Sequence, residues 1–116
     1  MKVKRIVANI EATDLKRAKK FYGDVLGLSI LMDHDWIVTF GNDAKMSVQV
    51  SFASEGGAGT AVPDLSIEVD DVDAALERMH AAGFPVEYGP ADEAWGVRRF
   101  FVRDPFGRLV NILAHR

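Results

Sequence analysis

A strand-to-helix passage occurs twice in this chain. Residues 9–18 read NIEATDLKRA and residues 66–75 read SIEVDDVDAA, an offset of 57. Under that offset Ile10/Ile67, Glu11/Glu68, Asp14/Asp71 and Ala18/Ala75 are identical, four positions in ten. A repeated unit that cannot bury its own apolar face is completed by its copy, so the repeat limits the fold more than any single residue does.

Each copy carries the same order of elements. Residues 4–12 alternate, with Ile6, Ala8 and Ile10 on one face of a strand and Val7, Asn9 and Glu11 on the other. Thr13 or Asp14 caps a following helix, on which Leu15, Ala18, Tyr22, Val25 and Leu26 recur at helical spacing. Gly27 suits the position just past the helix end. Residues 28–32, 36–40 and 45–52 read as three strands, with turns at 33–35 and 41–44.

After a Gly-rich break at 54–63 the order restarts. Leu65, Ile67 and Val69 alternate with polar neighbours, and Asp70 or Asp71 caps a helix carried by Val72, Ala75, Leu76, Met79 and Ala82 and ended by Gly83. Residues 85–88, 97–103 and 108–113 are the last three strands. Asp104-Pro105-Phe106-Gly107 is a turn, with Pro second and Gly fourth. The expected fold is α+β: two tandem βαβββ modules, about residues 1–53 and 64–116 of one domain, forming a cup-shaped mixed sheet. The two amphipathic helices cover the apolar outer face. The mixed inner face is left for solvent, a partner chain or a ligand.

Composition excludes several functions. With 116 residues the chain suits one domain. There is no cysteine, hence no disulfide and no thiolate metal site. Net charge is −3 with no like-charge run, which gives no nucleic-acid stripe. No apolar stretch approaches the ~20 residues of a membrane span, and the first residues are too polar for a signal peptide, so a soluble cytoplasmic protein is expected. No nucleophile elbow, phosphate-binding loop or dinucleotide fingerprint occurs. The run Gly56-Gly57-Ala58-Gly59 lacks a following helix and reads as a flexible connection.

The stretches DLKRAKKFYGDVLGL and FFVRDPFGRLVNIL resemble the vicinal oxygen chelate superfamily, which includes glyoxalase I, extradiol dioxygenases, fosfomycin-resistance thiol transferases and bleomycin-resistance proteins. The resemblance covers nearly the whole chain. It implies a cup built from two βαβββ modules, homodimers whose pockets combine modules of both subunits, and, in metal-dependent members, a divalent ion held from the first and last strand of each module. The ligand positions that the resemblance implies fall on Val7, fourteen residues before Phe21, on Gln49, on Asp64 and on Asn111. Metal-dependent relatives hold His or Glu at most of these. Valine offers no donor and an amide oxygen is a weak one, so Gln49, Asp64 and Asn111 are at best weak metal candidates, and no tight metal cofactor is expected.

The cup residues expected to meet a small-molecule ligand are Val7, Asn9, Gln49, Asp64, Ser66, Trp95 and Asn111. Trp95 covers a pocket mouth, a dimer contact or its own subunit's sheet. Trp36 is either core or cup lining. Arg98 and Arg99 are adjacent and point to opposite faces, so one of them faces the cup, there to hold a ligand acid or to pair with Glu68 or Glu11. His34 falls in a solvated turn, His80 borders the helix's apolar face and His115 is near the terminus; none has ligand spacing. The expected function is a metal-free binding protein of the bleomycin-resistance type, acting as a homodimer. The alternatives are a lyase, isomerase or dioxygenase using a weakly bound divalent metal, and a subunit whose mixed sheet face binds another protein.

Overall fold

The computed structural model describes residues 4–46 and 49–116. The first helix begins at Asp14, whose side chain accepts from the Lys16 N–H at 3.0 Å. It runs as α1 over Leu15–Ala18 and widens into a π-type stretch over Lys19–Val25. The widening is seen in the Leu26 N–H, which donates to the Phe21 carbonyl five residues back at 3.1 Å. Gly27 follows at φ 74°, a left-handed value that glycine takes without steric cost. A hairpin comes next, β1 (Ser29–His34) and β2 (Ile37–Gly41), antiparallel, with an irregularity between Ile30 and Met32.

The second half is the sheet that organises the molecule. Its strands are β3 (Leu65–Glu68), β4 (Val86–Asp92), β5 (Val97–Arg103) and β6 (Leu109–His115), in the spatial order β3-β6-β5-β4. β3 pairs with β6 in parallel, and the other pairs are antiparallel, so the sheet is mixed as expected. Helix α2 (Val72–Ala81) connects β3 to β4, and Asp71 rather than Asp70 caps it, accepting from the Ala74 N–H at 3.0 Å.

Both helices lie on one face of this sheet. Phe100 and Val102 of β5 and Val110 and Ile112 of β6 form the core with Val72 and Met79 of α2 and Phe21 and Val25 of the first helix. Phe21 is fully buried and meets Tyr22 and Phe84 edge-on, with ring centroids 4.8 Å and 5.0 Å away. The helix of the first repeat is therefore held by the sheet of the second. A second tie reinforces it: Tyr22 Oη donates to Asp104 Oδ2 at 2.8 Å, while Asp104 Oδ1 accepts from the Phe106 and Arg108 N–H groups at 2.8 Å and 2.9 Å. The Tyr of the FYGDVLGL stretch thus meets the Asp that folds the DPFG turn.

Five sequence expectations change. Residues 4–12 form no strand, and neither do the described residues of 45–52; Ser47 and Val48 lie outside the described residues. The two-stranded hairpin therefore has no third strand beside it among the described residues. β4 continues to Asp92, past the expected end at Tyr88, through a ladder irregular at Val86/Tyr88 and at Tyr88/Ala91. His80 is exposed, because the buried stripe of α2 runs through Val72 and Met79 and turns His80 outward. The Gly-rich connection is folded: the Gly56 N–H donates to the Thr60 carbonyl at 2.8 Å, and the Thr60 N–H and Oγ1 donate to the Gly57 carbonyl at 3.0 Å and 2.7 Å.

Burial first, and then the bond and charge of Asp104, push the Tyr22 phenol well above its ordinary value. The folded chain then keeps a proton that the unfolded chain releases above pH ~10, so stability falls as pH rises past that point. Denaturant unfolding at about pH 9 and about pH 11 should show the unaltered protein losing about 1.4 kcal/mol in total that Tyr22→Phe does not lose. Equal slopes for the two would contradict the Tyr22–Asp104 tie.

Candidate ligand-binding site

A recess of about 600 Å³ lies between residues 7–12, the first helix and β2. Leu15, Ala18 and Tyr22 line it from the helix, and Ile37, Val38, Thr39 and Phe40 from β2. Val7, Ala8 and Ile10 line it from the N-terminal segment, with Leu65 and Phe106 contributed by the second half. Its polar side chains are few. Asn9, Glu11 and Thr39 line it, while the Tyr22 hydroxyl is already spent on Asp104. Trp36 lines it too, yet is 79% exposed. An open recess with apolar walls, a large aromatic and a few polar groups suits a small, mostly apolar molecule.

The sheet face away from the helices carries a second row of expected residues. Asp64 Oδ2 accepts from the Leu109 N–H at 2.8 Å, and Asn111 Nδ2 donates to Ser66 Oγ at 3.1 Å. Asn111 is 7% exposed, and its Oδ1 is buried without a partner among the described residues. This donor set does not fit the divalent ion that the resemblance implies. Val7 has no donor atom, Asp64 is committed to joining β3 to β6, and Asn111 offers a neutral amide oxygen. Among the described residues no three of His, Asp and Glu converge as a metal site.

Arg99 occupies the same sheet face. It pairs with Glu93 Oε1 at 3.3 Å, with side chains only 5% and 7% exposed. Its guanidinium carbon lies 4.8 Å, 5.0 Å and 5.4 Å from the ring centroids of Phe101, Trp95 and Tyr88. Nη1 donates to the Gly56 carbonyl at 2.7 Å and Nη2 to that of Gly57 at 3.2 Å. Tyr88 Oη donates to the same Glu93 Oε1, and this bond, more than its partial burial, raises the Tyr88 phenol above its ordinary value. Arg98 points the other way and joins Asp73 at 2.8 Å and Asp92 at 3.1 Å on the surface.

The expected residues therefore do not gather in one place. Val7 and Asn9 line the recess, Asp64, Ser66 and Asn111 form the hydrogen-bonded row, and Trp95 belongs to the Arg99 cage. Gln49 is exposed and lines neither recess nor cage. Of the two arginines it is Arg99 that turns away from the helices, and its acidic partner is Glu93, not Glu68 or Glu11. Glu68 instead meets His115 Nδ1 at 3.1 Å on the surface. His34 ends β1 and is exposed. The residue that sequence reasoning missed is Glu93; its nearness to Arg99 depends on the β4–β5 turn, where the Glu93 N–H donates to the Val97 carbonyl at 2.8 Å.

Comparison with known proteins fits this architecture. The family model of the Glyoxalase/Bleomycin resistance protein/Dioxygenase superfamily matches residues 4–112. A lactoylglutathione lyase of Haemophilus influenzae is 30% identical over 117 aligned positions, covering 89% of this chain and 86% of that one. Among solved structures, a protein of unknown function from Agrobacterium tumefaciens is 28% identical, with a TM-score of 0.69 over 100% of this chain and 98% of that one. TnmS3, an antibiotic-binding protein from Streptomyces sp. CB03234, superposes with a TM-score of 0.67 at 22% identity, over 92% and 91% of the two chains; at that identity the likeness is one of fold.

Restoring one carboxylate should not rebuild a metal centre. Asn111→Glu is expected to show no stoichiometric Zn²⁺ uptake in calorimetry, because Val7 still contributes nothing and Asp64 stays bonded to Leu109. Tight, stoichiometric uptake would contradict this account of the donor set.

Proposed function

The chain belongs to the Glyoxalase/Bleomycin resistance protein/Dioxygenase superfamily, and within it we propose a protein that binds and sequesters a small, largely apolar organic molecule, working as a homodimer. The observation that carries this reading is the recess: apolar walls, an exposed Trp36 at hand for stacking, and Asn9 and Thr39 to orient a ligand by hydrogen bonds. Val7 and Asn9 are its proposed contacts from the expected set. Asp64, Ser66 and Asn111 support the sheet beside it.

The homodimer rests on exposed apolar surface. All of β1 is exposed, including Ile30, Leu31 and Met32, and so are Val50 and Phe52, the latter at 95%. A two-stranded hairpin is marginal alone, and an apolar surface of this extent calls for a cover. A second copy of the chain supplies one of matching character, since a two-fold contact pairs a patch with itself. No helix among the described residues is long and apolar enough to cross a membrane, so a bilayer-spanning role for that surface has no support in the helices.

Isothermal titration against a panel of aromatic antibiotics and planar metabolites should find a binder whose heat is lost in Trp36→Ala, with quenching of tryptophan emission in the unaltered protein. A panel without a binder, together with turnover of a thiol-adduct substrate, would overturn the reading. Light scattering should return twice the 12.8 kDa chain mass. A monomer at micromolar concentration would remove the dimer.

A second reading is favoured by the Haemophilus relative named a lactoylglutathione lyase. In that case Asp64, Gln49 and Asn111 would supply a weak divalent site. Metal analysis of protein purified without chelator separates the two readings: stoichiometric metal that is lost in Asp64→Ala supports the lyase, and its absence supports sequestration.

A further inference from the structure

The cage around Arg99 lies apart from the recess, since none of Tyr88, Glu93, Trp95, Arg99 and Phe101 lines that cavity. A buried arginine–glutamate pair is a costly way to hold a surface loop, because desolvating both charges offsets much of their attraction. Yet what Arg99 grips is a surface loop, and only by its backbone: the carbonyls of Gly56 and Gly57, two neighbouring acceptors met by two parallel donors of one guanidinium. Both of these acceptors belong to glycines, which bring no side chain to the cage. A Cβ on Gly57 would fall 2.8 Å from Trp95 Cη2, and Gly57 sits at φ 85°, so the peptide lies against the indole as a flat, side-chain-free group. Trp95 is nonetheless 53% exposed, and Gly56 and Gly57 are only half-buried. The connection can leave without opening the helix-side core.

We propose that this cage is a binding subsite for an uncharged, planar molecule with two neighbouring carbonyl acceptors, and that the Gly56–Gly57 peptide is an internal occupant which such a ligand displaces. The neutrality follows from Glu93: the guanidinium is already balanced, so a carboxylate ligand would face Glu93 without gaining a free charge. The planarity follows from Trp95, whose ring the glycine peptide now covers. The two acceptors follow from the paired donors of Nη1 and Nη2. The connection then acts as a strap, and ligand affinity at the cage depends on how often the strap is away.

The experiment uses the full chain in a Trp36→Phe background, which leaves Trp95 as the only tryptophan of the two. Gly57→Ala sets a methyl against the indole, and Thr60→Val removes the Thr60 Oγ1 bond to the Gly57 carbonyl without touching the cage. Both should red-shift Trp95 emission and raise its quenching by acrylamide in the absence of ligand. The calorimetric probe is ethyl coumarin-3-carboxylate, with the anionic coumarin-3-carboxylate beside it. The ester should bind Gly57→Ala about tenfold more tightly than the parent, the factor expected if the strap is away about a tenth of the time. Thr60→Val should move the same way by less, and the acid should bind more weakly than the ester throughout.

Unchanged emission in both variants, an ester affinity that does not rise, or an acid that outcompetes the ester would each overturn the proposal. The recess is the same in the variants and their parent, so the change in affinity on Gly57→Ala reads the cage, and these outcomes leave the titrations that test the recess standing on their own result.

Discussion

Both helices of this molecule lean on one face of one sheet. Phe100, Val102, Val110 and Ile112 present a continuous apolar surface, and two helices from different halves of the chain compete for none of it because each takes its own share. Phe21 is the decisive contact, a fully buried aromatic carried from the first half into the core of the second. Truncation of such a side chain costs about 3–5 kcal/mol in well-packed cores, a large part of the stability of a small domain. The Tyr22–Asp104 bond adds direction to that burial: it ties the helix to the turn from which β6 departs.

This division of labour explains why the two repeats look different once folded. The second has a four-stranded sheet with a helix-covered face. The first has given its helix to that sheet and retains a hairpin whose β1 is exposed throughout. The recess at Trp36 opens where the first half lacks a complete layer. The Arg99 cage sits where the second half's sheet turns away from its helices. An apolar recess on one side and a polar, charge-balanced clasp on the other are consequences of the same asymmetry.

Much of this was legible in the residues. The caps at Asp14 and Asp71, the stop at Gly27 and Gly83 and the DPFG turn follow from local chemistry that operates whatever the tertiary setting. Residues 4–12 alternate as a strand should, yet a strand exists only by pairing, and sequence alternation says nothing about whether an edge is available. The buried stripe of the first helix passes through Ala18, Phe21 and Val25, an i, i+3, i+7 set, so it is Phe21 and not its neighbour Tyr22 that is fully buried. The candidate site was the least legible part. Glu93 reaches Arg99 across a turn, and the glycine carbonyls reach it across more than forty positions of sequence, contacts that no local pattern encodes. At the positions where the resemblance implies metal ligands, residue type alone already bears on the donor set, since the valine side chain has no lone pair to offer.

Native-state hydrogen exchange, followed at two protein concentrations, tests the central claim that one sheet face holds both helices while the β1–β2 hairpin stands outside that core, where we propose that a second copy covers it. The account predicts that the amides of Val102, Val110 and Ile112 and of the first helix at Val25 exchange only through global unfolding. Those of β1 and β2 should open at lower free energy in dilute protein and gain protection as concentration rises. Equal, concentration-independent protection of the hairpin and the core would contradict it.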